Sequence, residues 1–353
     1  MEKSREHEGR ESPQYVRTSL AAAMTMGMAP GRFFRDAKLY CINLLLTYDG
    51  GCAGRCAYCG LSRVRETSKA WGENSFIRVD WPTVALDEVI SRMSDDVCAH
   101  VERVCVSMIT NGRARKDTIE VVEKLHKKFD TISALLTPTI IDKEWMNELK
   151  MAGADMVGIA VDAATPELFE KFRGSGVKGP HTWKQYWETV EEAVEVFGRN
   201  MVGIHLIVGL GETEKEMVDV IQRAQNMGVK THLFSFYPED GSPLQDHPQP
   251  PIGEYRRIQL ARYLINNDIV SIKDLKFDES GQIKVFGATQ KVLDDVIESG
   301  LPFLTSGCRG KTLENACNRP FANCNPFQAY SGKFRNFPFQ TNEEDIRNIR
   351  KQI

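Results

Sequence analysis

No apolar run in the chain approaches the ~18 residues that a bilayer-crossing helix needs. The longest near the start, Cys41-Ile42-Asn43-Leu44-Leu45-Leu46, is six residues broken by an asparagine. Residues 1–11 are dense in charge, with no apolar stretch behind a basic start, so a secretory leader is not expected and the expected location is cytoplasmic. A basic excess is also lacking: Lys and Arg number 45 against 48 Asp and Glu. That balance argues against a nucleic-acid-binding surface as the main feature. Neither nucleic acid nor membrane is expected as a partner. Internal repeats and low-complexity tracts are absent. With 42% hydrophobic and 26% charged residues among 353, a largely disordered chain is excluded.

The nine cysteines are an odd number, which does not suggest a disulfide framework. In a reducing compartment, clustered thiols more often bind metal or do chemistry. The first cluster is Cys52-Ala-Gly-Arg-Cys56-Ala-Tyr-Cys59, with Gly50, Gly51, Gly54 and Gly60 around it. Small residues let the loop curl so that three sulfurs converge. A [4Fe–4S] cube offers four iron corners, so three thiolates leave one open. A structural zinc site would want a fourth Cys or His nearby. Before residue 100 the only histidine is His7, so zinc needs a distant fourth ligand.

Cys-x3-Cys-x2-Cys with an aromatic residue before the third cysteine, here Cys52, Cys56, Tyr58 and Cys59, resembles the signature of the radical S-adenosylmethionine (SAM) enzymes. The resemblance implies that the three cysteines hold a [4Fe–4S] cluster whose open iron chelates SAM. It further implies reductive cleavage to a 5′-deoxyadenosyl radical, which takes hydrogen from an unactivated carbon. Tyr58 then lies close to the SAM adenine. No side chain is assigned as catalytic, because the cofactor carries the hard chemistry.

Residues 1–12 read as a disordered, solvated charge run within an N-terminal extension over 1–38, whose Ser19 to Met28 stretch favours helix. From 39 to 306 strand and helix patterns alternate. Strands are expected at 40–47, 101–109, 131–137, 155–162, 201–208, 230–237, 269–277 and 301–305. Helices are expected at 83–94, 116–129, 142–152, 181–197, 212–227, 252–267 and 289–299. Eight strands with interleaved helices read as an α/β, TIM-type (βα)8 barrel, with a partial six-strand barrel as the alternative. The 52–59 loop follows the first strand and so falls at the C-terminal face, where such barrels carry their sites. Residues 238–252, with five prolines, read as an ordered loop or lid. The coil-rich tail, 307–353, shows no helical pattern before Asn342 yet is too apolar for plain disorder.

Cys308, Cys317 and Cys324 lie in that tail. Their spacing matches no common zinc motif. They are expected to hold a second, auxiliary iron–sulfur cluster, with Cys41, Ser306, Asn323 or a non-protein group as fourth ligand. The bland alternative is three unrelated buried thiols.

The barrel resembles biotin synthase in Ile207-Val208-Gly209-Leu210-Gly211-Glu212-Thr213, in Asp162 with Ala163-Ala164-Thr165-Pro166, and in Gly241-Ser242-Pro243-Leu244. By that resemblance Ile207 packs on the SAM adenine and Asp162 binds its ribose. Asn111, after the second strand, stands where relatives hold the SAM amino group; a plain turn is the competing reading. Cys105 matches one biotin-synthase cluster position on strand two, but strands three and five carry no partner, so it is expected as a buried small side chain. His205 is read as a core histidine. Phe234, Phe236 and Tyr237 are read as core aromatics or the lining of an acyl channel.

The ending Thr305-Ser306-Gly307-Cys308 with Cys317-Asn318-Arg319-Pro320-Phe321 is similar to two-component lipoyl synthases, as are Asn43-Leu44-Leu45-Leu46-Thr47-Tyr48 and Ser75-Phe76-Ile77-Arg78-Val79. This likeness implies sulfur insertion into a protein-bound octanoyl chain, the auxiliary cluster being the sulfur donor. It implies as partners an octanoylated lipoyl-carrier protein or peptide, a paralogous radical SAM subunit, and an electron donor such as ferredoxin or flavodoxin. Both clusters are then expected at the same barrel mouth. Two competing readings are a radical SAM enzyme whose auxiliary cluster passes electrons, and a metal-stapled binding protein without catalysis.

Overall fold

The computed structural model describes residues 9–65, 75–76, 79–319, 330 and 333–353. Its centre is an eight-stranded sheet of the TIM-barrel type. The chain enters through strand β1 (Tyr15–Thr18) and helix α1 (Leu20–Thr25), whose Ser19 accepts from the Ala22 N–H. The segment read as a helical prefix is thus a strand followed by a short helix. β2 (Cys41–Leu46) is buried along its whole length. A small hairpin, β3 (Ser75–Phe76) and β4 (Val79–Asp80), precedes β5 (Thr83–Ala85) and α2 (Leu86–Met93).

Regular alternation follows: β6 (Arg103–Ser107), α3 (Ala114–His126), β7 (Ile132–Leu136), α4 (Lys143–Met151), β8 (Met156–Asp162), α5 (Pro166–Phe172) and α6 (Trp183–Phe197). β9 (Val202–Val208), α7 (Glu214–Met227), β10 (Lys230–Ser235) and α8 (Ile252–Asn266) complete it. Local chemistry sets these boundaries. Thr213 and Glu216 form a reciprocal capping box at the start of α7, and Gly228 ends it at φ +76°, a conformation a side chain resists.

Six strands, β2, β6, β7, β8, β9 and β10, pair in parallel in that order. β1 and β5 add antiparallel at the β2 edge. The parallel part is therefore the six-strand alternative, and the sheet reaches eight through strands earlier in the chain than those expected. Of the expected strand 269–277 only β11 (Lys276–Phe277) forms, in a hairpin with β12 (Ile283–Val285) outside the main sheet. Leu301–Phe303 is a 3-10 turn after α9 (Gln290–Ser299). Pro302 in that segment removes an N–H that a ladder would need.

The tail ends in α10 (Glu343–Gln352), capped by Asn342. Phe303, Phe334, Phe337, Ile346 and Ile349 pack with Leu260 and Leu264 of α8 in a second, smaller core. Buried Arg256 donates to the Phe334 and Arg335 carbonyls, which fastens the tail to α8. No helix among the described residues is long and apolar enough to cross a membrane.

Candidate functional site

On the parallel strands other than β2, residues buried under the helices are interrupted by residues that keep partial exposure. Cys105, Ser107, Ala160, His205, Ile207 and Phe234 belong to the second set and line an open lumen. Phe236, by contrast, is buried core against His247.

The 52–59 loop leaves the C-terminal end of β2 and is stapled in place by backbone bonds. Ala53 N–H donates to the Thr110 carbonyl at 2.7 Å, Ala57 N–H to Phe172 at 2.8 Å, and Leu244 N–H to Ala57 at 3.1 Å. Arg55 Nε donates to the Val177 carbonyl at 2.8 Å. The 238–252 loop is thus ordered and closes over the cysteine loop. Asn111 donates through Nδ2 to the Gly51 carbonyl and accepts from Arg113 N–H, so it forms a turn that also fixes the loop's base.

The three sulfurs converge. Gly54 N–H is aimed at Cys52 Sγ (3.3 Å) and Leu61 N–H at Cys59 Sγ (3.4 Å). Burial pushes the Cys56 thiol up to about 11 and raises Cys59 further. Free thiols here would stay protonated, so thiolates need the positive charge of bound metal. Three converging thiols with backbone donors fit an iron–sulfur cluster.

Behind the loop runs a buried polar chain that the sequence did not announce. Tyr58 Oη donates to Asp162 Oδ2 at 2.7 Å. The same oxygen is ion-paired with Arg173. Arg173 Nη2 donates to Tyr186 Oη at 2.8 Å, and Tyr186 Oη lies 3.3 Å from His181 Nδ1. Thr139 Oγ1 is also on that nitrogen. Burial, then the Arg173 charge, pushes His181 down to about 3, so its imidazole is neutral. Asp162 ends β8 at φ +66°, and its Oδ1 has no hydrogen-bond partner among the described residues.

The second thiol group lies at the other end of the strands. Cys41 opens β2, and Asn43, Cys105 and Ser133 sit at one level across β2, β6 and β7. Cys308 and Cys317 come in from the tail. Asn43 Nδ2 points at Cys41 Sγ (3.8 Å) and Cys317 Sγ (3.9 Å). All four thiols feel one another's charge. The Cys41 thiol, donating to Cys317, holds Cys317 down as a thiolate, with Arg319, Asn43 and Arg103 assisting. Asn43 Oδ1 is buried without a partner among the described residues.

The tail reaches this place from the strands' N-terminal ends. Asn318 accepts from Tyr40 N–H (3.1 Å) and donates to the Lys38 carbonyl (2.7 Å). Arg103 Nε donates to the Arg309 carbonyl, and Glu102 accepts from Thr312 and Leu313. The expectation that both groups share one mouth is therefore corrected. At ~3.3 Å per residue, the five steps from Cys41 to Leu46 separate them by roughly 16 Å of strand.

Cys105, expected as a mere buried thiol, stands among the tail cysteines; its match on strand two was the available signal. Cys41 was already a candidate fourth ligand. Cys324 lies outside the described residues, as do Asn323 and Ile77-Arg78. Among the described residues no three Cys, His, Asp or Glu side chains close on one metal-ion position. Cluster thiolates stand on separate irons and do not require that.

Comparison with known proteins fits this geometry. Residues 48–224 match the radical SAM superfamily. A biotin synthase from Hydrogenobaculum sp. (strain Y04AAS1) is 23% identical over 272 residues, covering 74% of this chain and 72% of that protein. A 7,8-didemethyl-8-hydroxy-5-deazariboflavin synthase from Methanopyrus kandleri is 22% identical over 300 residues, 75% of this chain and 84% of the relative. Among solved structures, HydG, a maturase of the [FeFe]-hydrogenase, superposes at a TM-score of 0.51 with 13% identity, over 89% of this chain and 71% of that one. This last likeness bears on the fold alone.

Proposed function

This chain belongs to the radical SAM superfamily, and from that premise we propose that it inserts sulfur into an unactivated carbon of a protein-bound acyl chain, as one subunit of a two-component lipoyl synthase. The observation that carries the reading is the placement of two thiol groups at opposite ends of one lumen. Cys52, Cys56 and Cys59 hold the SAM-binding [4Fe–4S] cluster. Cys41, Cys105, Cys308 and Cys317 surround the auxiliary site, with Cys324 a further candidate. When bound, the first cluster with SAM supplies the oxidant for a C–H bond and the second supplies sulfur.

The chain's own residues position the reactants between them. Asp162, held by Tyr58 and Arg173, keeps Oδ1 for a ribose hydroxyl. Ile207, half-buried on β9, offers an apolar face to the adenine, and Asn111 steadies the loop near the amino group. Ile207 and Phe234 give the lumen an apolar wall suited to an octanoyl chain. Burial holds His205 down to about 4, so it adds no charge beside that wall. Placement matters because catalysis by positioning is lost at ångström-scale errors. An octanoylated carrier protein or peptide, a paralogous subunit and a ferredoxin or flavodoxin are the partners this reading assigns.

A second reading has its own support. Four thiols suffice to saturate a [4Fe–4S] cluster, which suits electron transfer better than sulfur donation. One experiment separates the two. The anaerobically reconstituted protein is incubated with SAM, reductant and an octanoyl-lysyl peptide, and products are followed by mass spectrometry. Gain of one sulfur, with one auxiliary cluster lost per turnover, is the expected result. SAM cleavage with an unchanged peptide and intact auxiliary cluster favours electron transfer. Absence of SAM cleavage leaves a metal-stapled binding protein.

A further inference from the structure

Gly54, between the first two ligands, has an unusual neighbour. A Cβ placed there would stand 3.2 Å from Cys52 Sγ, 3.9 Å from Cys56 Sγ and 3.3 Å from His181 Nε2. The missing side chain thus lets the imidazole edge and two ligand sulfurs approach the same point, too closely for an ordinary Cβ.

The hydrogen-bond chain behind His181 meets the ring at Nδ1. Arg173 only donates, so Tyr186 Oη must accept from it. The single Tyr186 proton is then left for His181 Nδ1, its other neighbour. Thr139 can give its proton to the same atom. With Nδ1 accepting from these hydroxyls, the proton of the neutral imidazole sits on Nε2. Nε2 is the ring atom that comes close to Gly54, beside Cys52 and Cys56.

We infer that His181 is a positioning residue whose Nε2–H donates to the sulfur face of the SAM-binding cluster, set in that tautomer by the Arg173–Tyr186 relay. The inference rests on the radical SAM reading of the 52–59 loop. Donors to cluster sulfurs stabilise the more negative, reduced state and raise the reduction potential. A histidine ligand to iron would instead need a bare Nε2, which the relay opposes.

The test is a potentiometric titration of the full-length, anaerobically reconstituted protein, followed by EPR on the reduced signal that changes when SAM is added. His181→Phe is expected to lower the midpoint potential of that signal with iron per chain unchanged. His181→Gln, which retains an N–H donor, is expected to restore part of the shift. Tyr186→Phe combined with Thr139→Val, which removes both protons available to Nδ1, should lower the midpoint as well. An unchanged midpoint in His181→Phe overturns the inference. So does loss of the SAM-sensitive signal from His181→Gln, since the imidazole would then act as a ligand or as packing. Should His181→Phe fail to load iron, the Tyr186→Phe/Thr139→Val double variant decides by the same criterion. Wild-type protein without any SAM-sensitive cluster would overturn the radical SAM reading itself, a distinct result.

Discussion

At the scale of single residues, the site is most sensitive where close approach and buried charge meet. Gly54→Ala would press a methyl against Cys52 Sγ and His181 Nε2. The expected outcome is several-fold less iron at the first site, while the fold survives an overpacking cost of about 1–3 kcal/mol. Iron analysis beside a denaturation curve checks it. Arg173 carries more. It pairs with Asp162, steadies Tyr58 and feeds Tyr186, all away from bulk water. Arg173→Leu strands the Asp162 carboxylate, and breaking a buried pair costs about 3–5 kcal/mol. Equilibrium unfolding of the apo-protein should show a loss of that size, and SAM affinity should fall with it. An Arg173→Leu protein as stable as the wild type would show that the pair is not what holds the loop. Neither Arg173 nor His181 was legible from its own segment. Their roles depend on the chain after α5 folding back under the cysteine loop.

At the scale of elements, the first part of the tail is held to the barrel by contacts that coincide with the second thiol group, while its end packs on α8. Asn318, next to Cys317, bonds the backbone of Tyr40, Lys38 and Pro338. Tyr40 directly precedes Cys41, so one side chain registers the tail thiol Cys317 against the strand thiol Cys41. Asn318→Ala leaves the buried Pro338 carbonyl unpaired, at about 1–3 kcal/mol, and removes the part-buried bonds to Tyr40 and Lys38. Iron at the second site is expected to drop while the SAM-sensitive EPR signal of the first persists. The helices and parallel strands themselves were readable from period and caps. The stretch 269–277 shows where that method stops. Alternating apolar residues suit a strand, but the parallel sheet ends at β10, and the segment finds its partner only in β12.

At the scale of the molecule, metal binding and protonation act on the whole fold. Cys41 and Cys105, on two strands, meet Cys308 and Cys317 of a tail some 200 to 280 residues distant in sequence. Stripping iron with a chelator should raise hydrogen exchange over residues 307–319 far more than over β6 to β9, and reconstitution should reverse it. Equal exchange with and without iron would show that the tail docks unaided. Glu254, in the first turn of α8, gives a pH signature. Burial, reinforced by Glu212 and Glu214, raises its carboxyl from 4.5 to about 7. Between those values the folded chain keeps a proton that the unfolded chain has lost, so stability falls as pH rises through the window. Glu254→Gln should accordingly be more stable than the wild type at pH 8 and not at pH 4, by equilibrium unfolding at both.

The cysteine loop, its aromatic neighbour and the strand–helix alternation were determined by local sequence. Ligand spacing, hydrophobic period and helix caps act within a few residues and need no distant partner. The mouth at which the second thiol group sits, the joining of Cys41 and Cys105 to Cys308 and Cys317, and the relay from Arg173 to His181 were decided only in three dimensions. Each depends on segments far apart in the chain meeting across one lumen, and no local pattern records which segments will meet.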